Sequence, residues 1–171
     1  MARYGDPDAV EWVEPGGGPL VAVPETVLPF WTGADSEELD TDYDRACEVD
    51  GRVGLLPVGD SAALVLGDEP AATAYLPDLG TFVRWCAAGP ERELAARVPA
   101  ALDAAVWGDE LRWHVPGPVV LFDSARPGAA ARTERHLRVP LRPGSYLVRA
   151  ACLRPDPETR VGLVRLSGPA P

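Results

Sequence analysis

The chain has 171 residues, of which 46% are hydrophobic and 25% charged, the composition of an ordinary globular domain. A net charge of −10 argues against binding to nucleic acid or to an anionic membrane and favours a basic protein partner. No stretch is apolar enough to span a bilayer, and the first eight residues lack the apolar run of a secretory signal. We therefore expect a cytoplasmic protein with no membrane partner.

The charge is distributed unevenly along the chain. Residues 1–85 carry a net charge of −13, whereas residues 86–171 carry +3. Every basic side chain is arginine, and Lys, Asn, Gln and Ile are absent, which is typical of the GC-rich genes of actinobacteria. Without lysine the chain cannot form a Schiff base or use a phosphate-binding P-loop.

Short apolar runs that end at glycine or proline predict many strands. The first part of the chain predicts strands at 11–13 and 20–23, a helical turn at 27–31, and a polar loop with room for a short helix at 34–50. Further strands are predicted at 53–58, 62–66, 71–76, 81–87, 110–115, 119–122 and 137–141. The last two, 145–153 and 160–166, are joined by a turn and form a hairpin.

One segment predicts a long helix, at about 90–106. Pro90 suits a first helical position, and apolar residues from Leu94 to Ala105 recur at spacings of three and four. Pro99 removes one backbone hydrogen bond and is expected to kink or split this helix. The prediction is a β-rich α+β fold, a single domain over residues 1–171 with mainly antiparallel sheets and one principal helix.

The cysteines and tryptophans predict structural roles. Cys47, Cys86 and Cys152 are odd in number and far apart in the sequence, so we expect buried free thiols rather than disulfides or a zinc site. Most of the tryptophans are expected in the core or against a sheet. They are Trp12, Trp31, Trp85, Trp107 and Trp113.

The sequence holds no convincing catalytic or metal-binding motif. His114 and His136 lack the spacing of metal ligands. The run that starts at Asp40 begins like a calcium loop, but Arg45 stands where the turn needs glycine and Gly51 where a bidentate glutamate is required. We predict no catalytic residue, no cofactor and no metal site.

The most distinctive feature is a run of eight acids within residues 35–50, which we call the acidic segment. One interpretation is a solvated loop that only keeps the protein soluble. The other is an electrostatic docking surface for a basic partner, with Tyr43 as a contact residue or as an anchor of the loop. Its candidate partner-binding residues, together with two acids further along the chain, are Asp35, Glu37, Glu38, Asp40, Asp42, Tyr43, Asp44, Glu48, Asp50, Asp68 and Glu69.

Several segments in a fixed order carry a resemblance to a known family. They are EWVE (11–14), GGPL (17–20), DYDRAC (42–47), GLLPVG (54–59), LVLGDEP (64–70), YLP (75–77), FVRW (82–85), GPVVLFDSA (117–125) and PGSYLVR (143–149). Over about residues 11–166 the chain resembles immunity protein 21 of bacterial polymorphic toxin systems.

The resemblance implies a cytoplasmic, non-enzymatic protein that binds a cognate toxin domain and blocks it by occlusion. It carries over no particular contact residue. Within the shared segments, Arg45 is expected to pair with Asp42 or Asp68. Because a nuclease needs a basic active site, an acidic inhibitor suits a nuclease toxin. Two alternatives remain open at this point: a small-molecule-binding or hydrolytic domain that uses acidic residues, and a scaffold module without a toxin.

Overall fold

The computed structural model describes residues 10–35, 37–87 and 91–169. Pro90, the expected first residue of the long helix, and the amino-terminal residues 1–9 lie outside the described residues. The strands are β1 (Leu20–Pro24), β2 (Val53–Val58), β3 (Ser61–Leu66), β4 (Ala72–Leu76), β5 (Thr81–Ala87), β6 (Gly108–Val115), β7 (Val119–Asp123), β8 (Leu137–Val139), β9 (Gly144–Asp156) and β10 (Thr159–Ser167). Helices α1 (Asp42–Cys47) and α2 (Glu91–Ala104) accompany 3-10 helices at Glu25–Phe30, Pro77–Leu79 and Gly128–Thr133.

The strands form two five-stranded antiparallel sheets. The first sheet has the order β2-β3-β1-β7-β8 and the second the order β4-β5-β10-β9-β6. A two-residue turn joins β2 to β3, and its Gly59 has a φ of 57°, which glycine adopts without strain. Another two-residue turn, at residues 157–158, joins β9 to β10.

The main core lies between the two sheets. Alternate residues of the first sheet, such as Leu64 and Leu121, meet Phe82, Trp113 and Val164 of the second sheet, and all of them are buried. The indole N–H of Trp113 crosses this core and donates to the carbonyl oxygen of Ala62 at 2.8 Å. The core therefore joins the sheets through apolar packing and a hydrogen bond.

Each sheet also buries part of its outer face. On the first sheet, Val65 and Val120 pack with Val27 of the first 3-10 helix and with Ala46 of α1. On the second sheet, Val83, Val161 and Leu163 pack against Val98 and Leu102 of α2. This covering explains why β1 is buried at every position instead of at alternate positions.

The predicted fold class is confirmed, because strands dominate and both sheets are antiparallel. Three expectations are wrong in detail. Residues 11–13 form no strand and contribute only the bridge between Val13 and Thr73. Helix α2 continues through Pro99 unsplit, with Val98 and Leu102 packed on the sheet. The cysteines are free, but Cys47 and Cys152 are exposed, since α1 lies at the surface and Cys152 lies towards the end of β9.

The tryptophans pack against apolar cores, as predicted. Trp31 and Trp113 are fully buried. Trp12, Trp85 and Trp107 are half-buried and pack against the cluster under α2. Ring centroids of Trp12 and Trp85 lie 5.6 Å apart.

Glu25 links the first 3-10 helix to β8 by accepting hydrogen bonds from Arg138 Nε (2.6 Å) and Arg132 Nη2 (3.0 Å). The hydrogen bond from Arg138 is the largest cause that lowers the pKa of Glu25 below its usual 4.5. A group with a lowered folded pKa stabilises the fold above its unfolded pKa, and this contribution disappears as the pH falls through the folded value.

We expect Glu25→Gln to lower the free energy of unfolding by about 1 kcal/mol or less at pH 7. The difference from the wild type should begin to shrink below pH 4.5 and should vanish at lower pH. Urea unfolding between pH 3 and 7 measures it. Glu158→Gln serves as the control, because no ion pair of Glu158 is found among the described residues. Equal pH profiles for the two variants would show that the arginines contribute nothing.

Candidate functional site

The acidic segment lies beside the outer face of the first sheet and is fixed to it at several points. Before the segment begins, the indole N–H of Trp31 donates to the carbonyl of Ser124 at 3.0 Å. The N–H of Ala34 donates to the carbonyl of Ala125 at 3.0 Å. Further along, Ala46 is buried in the outer core of the same sheet. The segment is therefore attached to a rigid support.

Asp42 has an internal role rather than an exposed one. Its side chain accepts from the backbone N–H of Thr32 at 2.8 Å, and its own N–H donates to the Thr32 hydroxyl at 3.3 Å. Asp42 is only 4% exposed and forms an ion pair with Arg45, one of the two pairings expected from the sequence. Arg45 is the segment's single basic residue, and its guanidinium is engaged in this pair.

The start of α1 is formed by a capping box. The hydroxyl of Thr41 accepts from the N–H of Asp44 at 3.1 Å, and the Asp44 carboxylate accepts from the N–H of Thr41 at 3.1 Å. The hydrogen bond from the Thr41 hydroxyl lowers the pKa of Asp44. Asp44 is exposed, but its carboxylate holds the helix end, so its availability to a partner is reduced.

Tyr43 is half-buried and packs against the turn before β1. A Cβ atom at Gly18 would lie 2.5 Å from Cε2 of the tyrosine ring, so only glycine allows this approach. A hydrogen bond with the Cys47 side chain is the largest cause that raises the pKa of Tyr43. These contacts favour the anchoring role of Tyr43 over that of a free contact residue.

The other acids of the segment face solvent. They are Asp35, Glu37, Glu38, Asp40, Glu48 and Asp50, with Asp44 also exposed. Glu38 makes an interaction within the chain, and Arg45, which is paired with Asp42, does not neutralise the other acids. The result is a patch of negative potential at the surface.

Sequence reasoning missed two exposed apolar residues, one within the segment and one before it in the chain. Leu39 is fully exposed between Glu38 and Asp40, and Phe30 is 62% exposed at the end of the 3-10 helix that precedes the segment. Large apolar groups surrounded by charge are the usual composition of a binding surface. The exposure of Leu39 could have been predicted, because this leucine stands alone within a run of charged residues.

Asp68 and Glu69, the two candidate acids outside the segment, lie beside its carboxyl-terminal end. The N–H of Gly67 donates to the carbonyl of Arg52 at 2.9 Å, which places the loop that carries Asp68 next to the chain after Asp50. Glu69 differs from Asp68, because its carboxylate forms an ion pair with Arg160. The structure thus brings Asp68 near the segment and leaves Glu69 largely neutralised.

The two larger cavities among the described residues lie away from the acidic segment. One of about 640 Å³ lies between α2 and the β9–β10 hairpin, and one of about 760 Å³ lies between residues 10–12 and 134–138. No residue of the segment lines either of them. Among the side chains that the structure describes, hydrogen bonds lower the pKa of the Glu25, Asp44 and Asp156 carboxyl groups. A carboxylic acid that donates protons near neutral pH needs the opposite shift.

Comparison with protein-family models gives a match to immunity protein 21 over residues 11–159. The chain belongs to the immunity protein 21 family. The match covers most of the chain and includes the first sheet, the acidic segment, α2 and every strand of the second sheet except β10, of which it reaches only the first residue. Membership makes the chain an immunity protein of a toxin system and suggests a non-enzymatic role.

No curated protein and no solved structure matches the chain. Within residues 10–35, 37–87 and 91–169, no three His, Cys, Asp or Glu side chains are grouped as metal ligands would be. The same part of the chain contains no helix with the length and apolar character needed to cross a membrane.

Proposed function

We propose that this immunity protein binds its cognate toxin domain through the acidic segment and blocks the toxin by covering its active site. The observation that carries the proposal is the pairing of Arg45 with the buried Asp42. It leaves the remaining carboxylates of the segment exposed on a support fixed to the first sheet. A charged surface that is held in place lowers the entropic cost of association.

The proposed toxin surface is basic, and a nuclease is the toxin class that suits it best. A nuclease active site carries positive charge to hold phosphate, so an acidic protein competes for the same charges. Leu39 supplies an apolar contact at the centre of the acids, and Asp68 extends the negative patch. Such a surface chiefly increases the association rate and fixes the orientation of the partner.

The open position of the acids favours this proposal over the hydrolytic alternative. A hydrolase needs carboxylates in a walled cleft. Here the acids of the segment line neither of the two larger cavities, and the shifted carboxyl groups remain ionised. Membership of the immunity protein 21 family argues against the other alternative, a scaffold module without a toxin.

The test is a titration of toxin activity with the purified chain. The probe is the toxin domain that we expect to find encoded beside the gene of this chain, as the C-terminal domain of a secreted protein. We expect activity to fall linearly and to reach its minimum at one immunity protein per toxin, because a tight occluding complex binds stoichiometrically. Full toxin activity in the presence of a molar excess would contradict the proposal, as would the lack of such a neighbouring gene.

A further inference from the structure

Arg84 is a buried guanidinium in the middle of β5, only 4% exposed. It donates to the carbonyl oxygens of Gly67 at 2.7 Å and Glu69 at 2.8 Å. No carboxylate of the described residues lies within ion-pair distance of Arg84, and its buried Nε–H has no acceptor among them. Burial lowers the pKa of this side chain, which reflects the cost of a charge held away from water.

A second arginine, Arg52, lies at the edge of the second sheet that is formed by β6. Arg52 precedes β2, and its Nη1 atom would lie 3.8 Å from a Cβ at Gly108 of β6. Its Nε–H is also buried without an acceptor among the described residues. Arg52 and Arg84 line one cavity of about 30 Å³.

Small residues leave the room for this cavity. Gly162 of β10 pairs with Arg84 on β5, and a Cβ there would lie 3.1 Å from Cβ of Arg84. Ala150 of β9 pairs with Gly108. A larger side chain at Gly162 or Gly108 would fill the space that the side chains of Arg84 and Arg52 occupy.

The charged residues that line the cavity are three arginines and two acids, a net charge of +1. Arg52, Arg84 and Arg160 line it together with Asp68 and Glu69, and the Glu69 charge is already paired with Arg160. Buried N–H donors normally have an acceptor, and two charged donors at one cavity call for a negatively charged one. A volume of about 30 Å³ has room for one water molecule or one halide ion.

We propose that this cavity is a binding site for a single small monovalent anion of the halide class, held by the Nε–H groups of Arg52 and Arg84. Arg52 belongs to the chain leading into the first sheet, and Arg84 belongs to the second. The bound anion therefore links the sheets at this end of the molecule. Its binding raises the stability of the folded chain through mass action, independently of any toxin.

The test compares thermal unfolding in sodium bromide with that in sodium gluconate at equal ionic strength. Arg52→Gln removes one donor at a partly exposed position, and Arg112→Gln removes the same charge from an exposed position of β6 that does not line the cavity. The general effect of bromide on stability is common to all three proteins and cancels in the comparison. We expect bromide to raise the melting temperature of the wild type and of Arg112→Gln by about 2 °C or more relative to Arg52→Gln.

Anomalous diffraction from crystals soaked in bromide gives the second readout. A bromide peak within hydrogen-bonding distance of both Nε atoms is expected in the wild type and not in Arg52→Gln. The proposal fails if the bromide-dependent shift is the same in all three proteins. It also fails if a water molecule or the carboxylate of Asp68 occupies the position between the two arginines.

Discussion

Replacing Trp113 by alanine should lower the free energy of unfolding by about 3–5 kcal/mol, the usual cost of removing a large aromatic side chain from a core. Trp113 is 0% exposed and lies between the two sheets. Its loss also leaves the carbonyl of Ala62 without the indole donor at 2.8 Å. Because small proteins are stabilised by only about 5–15 kcal/mol in total, this variant should be close to unfolding.

Two further variants separate the causes of this loss. Trp113→Phe keeps much of the apolar volume but removes the N–H, so its cost should be well below that of alanine. Trp107→Ala is the matched control, since Trp107 is only half-buried and packs under α2 instead of between the sheets. Urea unfolding followed by circular dichroism measures all three. If Trp107→Ala were as destabilising as Trp113→Ala, the core between the sheets would not be the main source of stability.

Most of the strands could be predicted because they contain a short apolar run that ends at glycine or proline. The turn at Gly59 and the hairpin of β9 and β10 follow from local residues alone. The error at residues 11–13 has a physical cause: Val13 is buried and pairs once with Thr73, but no neighbouring strand extends the ladder. Pairing of this kind depends on distant segments and leaves no local pattern.

The sequence predicted which charged residues form the candidate site, but not which of them are buried, paired or exposed. The burial of Asp42 depends on Thr32, ten residues earlier, and the anchoring of Tyr43 depends on Gly18. The approach of Asp68 to the segment follows from the hydrogen bond between Gly67 and Arg52. Arg84 has no local signal at all, since an arginine in a strand is normally expected on the solvent face. Each of these features comes from tertiary contacts.

Reversing three exposed acids of the segment should slow association with the toxin by about 10- to 100-fold at low salt. The variant Asp35→Arg, Glu37→Arg, Asp40→Arg leaves Asp42 and Asp44 in place because they hold α1. Glu38 also stays, because it makes an interaction within the chain. The loss of rate should follow from repulsion between the new arginines and the basic surface of the toxin, and salt should weaken it.

The matched control reverses three exposed acids elsewhere on the protein. Asp78→Arg, Asp103→Arg, Glu158→Arg changes the net charge by the same amount, and none of these positions lies in the acidic segment. A general attraction between an acidic protein and a basic toxin would be weakened equally in both variants. A localised docking surface would be weakened only in the first.

The most direct measurement is therefore the association rate constant of the wild type and both variants with the toxin domain, taken by stopped flow at several salt concentrations. We expect the segment variant to associate about 10- to 100-fold more slowly than the wild type at low salt, the control variant to stay within about 3-fold, and the gap to close as salt increases. Equal rates for the two variants, whether both slow or both unchanged, would contradict docking through the acidic segment.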